Sequence, residues 1–196
     1  MELLFNYLPK SAHPQIDVLL KELNIDIRIT KERLTKHGDF RFYPNKKPII
    51  TINQSLNPYR FLITLLHELA HFKVFQNYKN GMKPHGKEWK RAYREIVFPF
   101  LTPEIFPNPI CSSLARHMIN PKASTDRDFE LVMALKAFDD QQGQIHIYEL
   151  QEGAVFQIHN GRRFVKIKKR RKRYECKEIS SGRIYIFSPH TEVFPE

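Results

Sequence analysis

The segment between Asn57 and Gly81 most strongly limits the folds that this chain can adopt. Asn57 is suited to the N-cap of a helix, Pro58 to its first position, and Gly81 to a C-cap with positive φ. Apolar residues cover much of the circumference of this helix, namely Phe61, Leu62, Leu65, Leu66, Leu69, Phe72 and Phe75. Because such a helix needs apolar partners on several sides, we predict that it is the central, buried helix of its domain.

The same helix carries the motif HELAH, which places His67 and His71 one turn apart. Residues at i and i+4 share a helix face, so both imidazoles can direct a ring nitrogen at one point. Zinc accepts such nitrogens at about 2.0–2.1 Å, and Glu68 could then take a proton from a water that the metal holds. The alternative is that these are ordinary buried histidines. We favour zinc, because polar groups on a buried helix need partners.

Two regions compete to supply the third metal ligand. His85 follows the chain reversal predicted at Gly81, and a helix returning from about Gly86 would bring it near the histidine pair. Glu88 and Glu95 lie on that returning helix and are the alternatives. We favour His85, because Gly86 allows the backbone to pass close to a metal.

The string HELAH, thirteen intervening residues and then HGKEW resemble the SprT-like metalloprotease domain. In that domain HExxH is followed by a histidine-glycine pair and an aromatic residue, here Trp89. The order of helix, strands, metal helix and returning helix is also similar over about residues 10–140. The resemblance implies a protein substrate and Glu68 as the general base, and in relatives of the Spartan type the substrates are DNA-bound or DNA-crosslinked proteins. It implies one zinc ion, bound by His67, His71 and His85.

Outside the metal helix, periodicity predicts an α+β fold. A helix after Pro14 and three strands (IDIRIT, FRFYP and PIITIN) precede the motif. A short helical piece at SSLARHM and a helix RDFELVMALKAF, capped by Ser124 or Thr125, follow the returning helix. We therefore predict a zincin-like minimal metalloprotease domain over residues 1–143, in which a small sheet packs on the HExxH helix.

Residues 144–196 change to period-two alternation and predict a small antiparallel β-subdomain. Its expected strands lie in IHIYEL, AVFQIH, RFVKIKK, RYECKE and RIYIF. Asn160-Gly161 and Ser181-Gly182 predict turns between strands. We expect the hairpins to pack around Phe156, Phe164, Tyr174, Tyr185 and Phe187.

The two cysteines, Cys111 and Cys176, mark a difference from many SprT-like proteins, which carry a zinc ribbon with paired cysteines. Because no CxxC occurs, we predict that the β-subdomain is metal-free and that Cys176 is an ordinary core or surface thiol. Two distant cysteines also suit a reducing compartment. With no signal sequence and no apolar run long enough to cross a bilayer, we expect a cytoplasmic protein without membrane contact.

Two expectations concern how a substrate is held. The strand PIITIN could pair with an extended peptide as an edge strand, or it could be ordinary sheet structure. His117, Arg116 and Tyr93 are candidate donors to the oxyanion of the transition state.

The chain is strongly basic, with a formal net charge of +11, which indicates a polyanionic partner. Residues 162–173, RRFVKIKKRRKR, contain nine Lys or Arg in twelve positions. Such a cluster binds phosphates independently of sequence and in a salt-sensitive way, so we predict DNA binding. Phe164 and Tyr174 could stack on single-stranded bases, although we expect both in the core. The predicted DNA-binding residues are Arg162, Arg163, Lys166, Lys168, Lys169, Arg170, Arg171, Lys172 and Arg173.

Two other functions fit part of the sequence. A regulatory peptidase of the ImmA/IrrE kind also uses HExxH, but it cleaves one dedicated repressor. A non-enzymatic nucleic-acid-binding protein would hold zinc in a structural site closed by four protein ligands. Glu68 favours catalysis, because a purely structural site needs no carboxylate at that position.

Overall fold

The computed structural model of the protein describes residues 2–33, 35–78, 82–139, 145–158, 160–189 and 191–196. The chain divides into two compact units, Met1–Asp139 and Asp140–Glu196. Helices and a three-stranded sheet form the first unit, and an antiparallel sheet forms the second. This arrangement confirms the predicted α+β class.

The first unit begins with two short helices, and its longest helix follows the sheet. The helices are α1 (Glu2–Phe5), α2 (His13–Lys21), α3 (Pro58–Tyr78), α4 (Lys87–Val97), α5 (Asn108–Ile119) and α6 (Phe129–Lys136). The strands are β1 (Asp26–Thr30), β2 (Gly38–Arg41) and β3 (Ile49–Asn53). No helix among the described residues has the length and apolar character needed to cross a bilayer.

Helix α3 is the buried central helix that the sequence predicts. Asn57 caps it, because the Asn57 side-chain oxygen accepts a hydrogen bond from the Arg60 N–H at 2.9 Å. Nearly every side chain from Arg60 to Phe72 is buried. The predicted C-cap at Gly81 lies outside the described residues.

The sheet packs its central strand against α3. Its order is β1-β3-β2, with β3 parallel to β1 and antiparallel to β2. Ile50 and Ile52 of β3 are fully buried in the core of this unit. Because strands occupy both sides of β3, PIITIN is ordinary sheet structure, the second of the two alternatives, and the edge strands are β1 and β2.

The chain between α5 and α6 differs from the prediction. Ser124 caps a single 3-10 turn, Thr125–Arg127, rather than the helix. Helix α6 begins only at Phe129, and the Asp128 side chain accepts a hydrogen bond from the Leu131 N–H at 3.5 Å. Asp is among the residues most favoured at an N-cap. The backbone of Asp128 is extended, with φ of −108°, and this ends the preceding turn.

The second unit is a six-stranded sheet of order β4-β9-β5-β6-β7-β8. Its strands are β4 (Ile145–His146), β5 (Val155–Gln157), β6 (Arg163–Arg170), β7 (Arg173–Glu178), β8 (Ile184–Phe187) and β9 (Glu192–Pro195). The predicted strand in IHIYEL is mostly a 3-10 turn, because the Glu149 carboxylate accepts a hydrogen bond from the His146 N–H at 2.9 Å. Strand β9 has no counterpart in the prediction.

Aromatic side chains fill the core of the second unit, as predicted. Phe156 and Phe164 are fully buried, Tyr174 is buried, and Tyr185 and Phe187 pack against them. Phe164 and Tyr174 are therefore core residues rather than exposed surfaces for stacking bases. Cys176 is also fully buried, and burial raises the pKa of its thiol to about 11.

Candidate metal centre

Helix α3 and the turn before α4 bring three imidazoles together in the first unit. The Nε2 atom of His67 lies 3.2 Å from that of His85 and 3.3 Å from that of His71. The Nε2 atoms of His71 and His85 are 3.0 Å apart. A neutral imidazole nitrogen either donates or accepts, so three of them cannot satisfy one another around a triangle. Two ligands at 2.0–2.1 Å from one tetrahedral zinc lie about 3.3 Å apart, so the donors and their spacing fit a cation.

Burial keeps these imidazoles neutral. It lowers the pKa of His67 well below its ordinary value, and the charges of His71 and His85 act in the same direction. Burial likewise lowers the pKa of His71 to about 4, and it also lowers the pKa of His85. Near neutral pH each ring therefore has a lone pair for a metal, as metal binding requires.

A tight turn places the third histidine. The Gly86 N–H donates to the Lys83 carbonyl at 2.9 Å, which closes a turn over Pro84 and His85. Pro at the second position and a positive φ of 59° at His85 match a type II turn, whose third position normally carries Gly or Asn. His85 therefore holds a strained backbone conformation, a feature that clusters at functional sites.

Glu68 lies beside the histidines, on the face of α3 that meets β2. Its side chain is buried, with a relative exposure of 7 %. Burial, with a smaller contribution from the charge of Asp39, raises the pKa of Glu68 to about 8, although the Phe40 N–H acts against this. A carboxyl with a pKa close to neutral can both accept and return a proton.

A cleft of about 440 Å³ opens over the histidines and Glu68. Its walls come from β2 and the loop before it, from α3, and from the segment after α5. Beyond the site residues, the lining includes His37, Gly38, Asp39, Phe40, Thr64, Ser124 and Asp126. The open edge of β2 thus runs along the histidine cluster, and an extended chain could lie there.

A hydrogen-bonded network fixes β2 in this position. Asp39 accepts hydrogen bonds from the Thr51 hydroxyl at 2.5 Å and from the Arg33 and Arg41 guanidinium groups. Although burial acts in the opposite direction, these bonds lower the pKa of Asp39 to about 2. Buried Asn53 holds the preceding loop by donating to the Lys36 carbonyl at 2.9 Å.

Glu95, the rival third ligand, lies away from the cluster. Its carboxylate accepts hydrogen bonds from Lys73 and Arg91, each at 2.9 Å, on the surface of α4. In the described part of the chain, the three histidines form the only group of His, Cys, Asp or Glu with ligand spacing. Three ligands leave a tetrahedral ion one open position, as in catalytic rather than structural zinc sites.

The three candidate oxyanion donors do not line the cleft. His117 is buried and bonds to Asp128 through Nδ1 at 2.8 Å. Tyr93 is fully buried, with its ring stacked on Trp89 and 5.4 Å from the His67 ring. Arg116 is exposed and pairs with Glu130 at 2.8 Å. Tyr93 thus supports the metal helix from behind rather than facing a substrate.

A model of the SprT-like family matches residues 10–106, which contain β1–β3, α3, α4 and the whole histidine cluster. The chain belongs to the SprT-like family. Membership indicates a metalloprotease-like domain. A comparison with curated proteins gives no match. Helices α5 and α6 and the second unit lie beyond the residues that match the SprT-like model.

The basic residues outside the SprT-like match fall into two groups. Lys166 is buried, and its ammonium donates to the carbonyls of Ile147 at 2.9 Å and Leu150 at 2.5 Å. Its ammonium also lies 3.9 Å from the Tyr174 ring centre, so the prediction that Lys166 binds phosphate is wrong. Lys166 lies on the core face because it follows buried Phe164 by two residues in β6 and pairs with buried Cys176 of β7.

Two arginines are paired, whereas the end of the hairpin is exposed. Arg162 donates to Glu178 at 2.6 Å and Arg163 donates to Glu196 at 2.7 Å. The exposed residues at the end of the β6–β7 hairpin are Lys168, Lys169, Arg170, Arg171, Lys172 and Arg173, and we call them the basic tip. Arg170 is 3.5 Å from Glu175, so even the basic tip is partly balanced by an acidic residue.

Gly38 permits the close approach of β2 to the metal helix of this SprT-like domain. A Cβ at this position would lie 2.7 Å from Thr64 Cγ2 and 3.2 Å from Glu68 Cγ. We expect Gly38→Ala to push β2 away from α3 and to lower the free energy of unfolding by about 1–3 kcal/mol. Urea unfolding measures the loss of stability. The control is Gly38→Ala in a Thr64→Ser background, which lacks the Cγ2 atom at 2.7 Å and should lose less stability. Unchanged stability of Gly38→Ala would contradict the tight contact.

Proposed function

We propose that the protein is a zinc-dependent endopeptidase that hydrolyses protein substrates. The observation that carries this proposal is the convergence of three histidine nitrogens beside a buried carboxyl, in a cleft bordered by an open strand edge. Membership of the SprT-like family supports the same reaction class.

His67, His71 and His85 would hold the zinc ion, which supplies a water of lowered pKa and polarises the scissile carbonyl. Glu68 accepts the proton of the attacking water and returns it to the leaving nitrogen. Burial raises the pKa of Glu68 to about 8, and the charge of a bound cation would lower this pKa, so that Glu68 is ionised and can accept the first proton near neutral pH. The neighbouring edge of β2 binds the substrate backbone by strand addition and holds the scissile bond in place.

Purified protein tests this proposal directly. We expect about one zinc per chain, and cleavage of an unfolded protein that stops with a chelator and returns with zinc. Purified protein that binds no zinc would contradict the proposal that it is a zinc enzyme. Cleavage of a single dedicated repressor, with no effect of DNA, would favour the ImmA/IrrE-like alternative. A fourth protein ligand on the bound zinc would favour the structural alternative.

We further propose that the substrates are DNA-bound or DNA-crosslinked proteins and that the second unit binds DNA without sequence preference. The support is the basic tip, six exposed cations on one hairpin, in a chain of net charge +11. Arg162 and Arg163 contribute less to this proposal because they pair with Glu178 and Glu196, and buried Lys166 contributes nothing.

The basic tip gives a prediction about salt dependence. We expect replacement of Arg171, Lys172 and Arg173 by alanine to weaken binding of single- and double-stranded DNA. The slope of log affinity against log salt should fall by about 2–3, because each lost phosphate contact removes about 0.7–0.9. Titrations at several salt concentrations measure this slope. Removal of three exposed lysines of the first unit, Lys31, Lys46 and Lys47, is the control with the same change in charge. Equal losses in both triple variants would contradict a site at the basic tip.

A further inference from the structure

A second, smaller cavity adjoins the histidine cluster on the side away from the main cleft. It measures about 200 Å³, and Phe40, His71 and His85 line both cavities. Along α3, the main cleft contacts residues 63–71, whereas the second cavity contacts His71, Val74, Phe75 and Tyr78. The metal centre therefore lies between the two cavities, along one groove between α3 and β2.

Apolar and aromatic residues make up most of the lining of the second cavity, whereas polar and charged residues are more numerous around the main cleft. Beyond the shared residues, its walls are Val74, Phe75, Tyr78, Met82, Pro84 and Trp89, together with one charged residue, Lys83. The main cleft instead contains His37, Asp39, Ser124 and Asp126. The two halves of the groove thus offer different chemistry to the two sides of a scissile bond.

The walls of the second cavity are held in place by aromatic packing. The Phe75 ring lies 4.2 Å from that of Phe42 and 5.8 Å from that of Phe40. At the rim, Tyr78 and Met82 are 50 % and 40 % exposed, so apolar surface is open to solvent beside the metal centre. Exposed apolar surface next to a functional centre is a feature of ligand-binding grooves.

Size and distance limit what the cavity can hold. Pockets for whole small molecules span about 300–1,000 Å³, so this one suits a single side chain. Val74 follows His71 by three residues, or about 4.5 Å along the helix, and an extended peptide advances about 3.3 Å per residue. A substrate residue next to the scissile bond therefore reaches the cavity.

We infer that this cavity is a specificity pocket that binds a large apolar side chain, such as Leu, Met or Phe, directly beside the scissile bond. This inference rests on the proposed peptidase function and adds a cleavage preference to it. The cavity disfavours charged side chains, because most of its described walls are apolar and its one charged lining residue, Lys83, is exposed to solvent.

Mapping of cleavage sites in a peptide library, with and without single-stranded DNA, tests the preference. We expect Leu, Met and Phe to exceed Asp and Glu about tenfold or more at one of the two residues flanking the cut. Val74→Trp, which fills the cavity, should shift that position towards Ala and Ser. Tyr78→Asp should raise acceptance of Lys and Arg there. Tyr43→Asp is the matched control, because Tyr43 is 46 % exposed and lines neither cavity.

A binding measurement gives a readout that needs no turnover. In zinc-loaded Glu68→Gln protein, we expect a peptide with Leu at the preferred position to bind about tenfold more tightly than its Asp counterpart. Tyr78→Asp in the same background should reduce this ratio, and Tyr43→Asp should not. Library cleavage without apolar preference, or a preference that both pocket variants leave unchanged, would overturn the pocket but not the peptidase. Zinc-loaded wild type that cleaves no peptide would overturn both.

Discussion

Glu68→Gln is expected to lower the rate of peptide hydrolysis by about 10²–10⁴-fold while the protein keeps its zinc. The amide has nearly the shape of the carboxyl but cannot accept a proton from water. Glu68 contributes none of the clustered ligand atoms, which come from three histidines. The rate loss should therefore appear in kcat, with metal content unchanged by elemental analysis.

Glu95→Gln provides the matched control for Glu68→Gln. Glu95 was the rival metal ligand in the sequence, but its carboxylate pairs with Lys73 and Arg91 on the surface. Its replacement should leave both zinc content and cleavage close to wild type, because exposed ion pairs contribute little. Loss of zinc in Glu95→Gln, or full activity in Glu68→Gln, would contradict the assignment of roles to these two carboxyls.

The sequence predicts the metal helix well because local and global signals agree there. The Asn57 cap, apolar residues around the helix and paired histidines all require one buried helix with a partner for its polar groups. His85 was also predictable, since the chain must reverse after α3 and return as α4. Consistent signals at several levels are the condition under which a sequence specifies its structure.

The features that escaped prediction depend on pairing between distant segments. Alternation identifies β3 as a strand but does not reveal that β1 and β2 flank it, which makes β2 the edge beside the site. The groups that satisfy the buried Lys166 ammonium, the carbonyls of Ile147 and Leu150, likewise belong to a segment distant from Lys166 in the sequence. The apolar pocket combines residues of β2, α3 and the turn at Pro84, so no single stretch of sequence reveals it.

The turn at His85 had a partial signal in the sequence. Lys-Pro-His-Gly suggests a turn, with Pro at the second position, but a positive φ would normally be assigned to the glycine. Instead His85 takes it, and Gly86 caps α4 where a Cβ would lie 2.9 Å from the Lys83 carbonyl. Metal binding requires histidine at position 85, whereas the positive φ at this position favours glycine. These opposing requirements have a measurable consequence.

His85→Gly and His67→Ala are expected to abolish stoichiometric zinc binding, yet to affect the metal-free protein differently. His67 packs against Trp89 and Tyr93, so its loss leaves a cavity and should lower the free energy of unfolding by about 2–4 kcal/mol. At residue 85, glycine relieves a left-handed conformation that costs other residues about 1–2 kcal/mol. The added freedom of the unfolded chain offsets about 0.5–1 kcal/mol of that gain.

Metal-free His85→Gly should therefore be as stable as metal-free wild type or slightly more stable, and His67→Ala should be clearly less stable. Zinc at about 1,000 times its Kd should stabilise wild type by about 4 kcal/mol and neither variant appreciably, because binding to the folded state alone drives the gain. Urea unfolding with chelator and with zinc measures all six values. If zinc stabilised His85→Gly as much as wild type, His85 would not be a ligand. A marked loss of stability in metal-free His85→Gly would show instead that its imidazole supports the fold, so the two roles of this residue are separable.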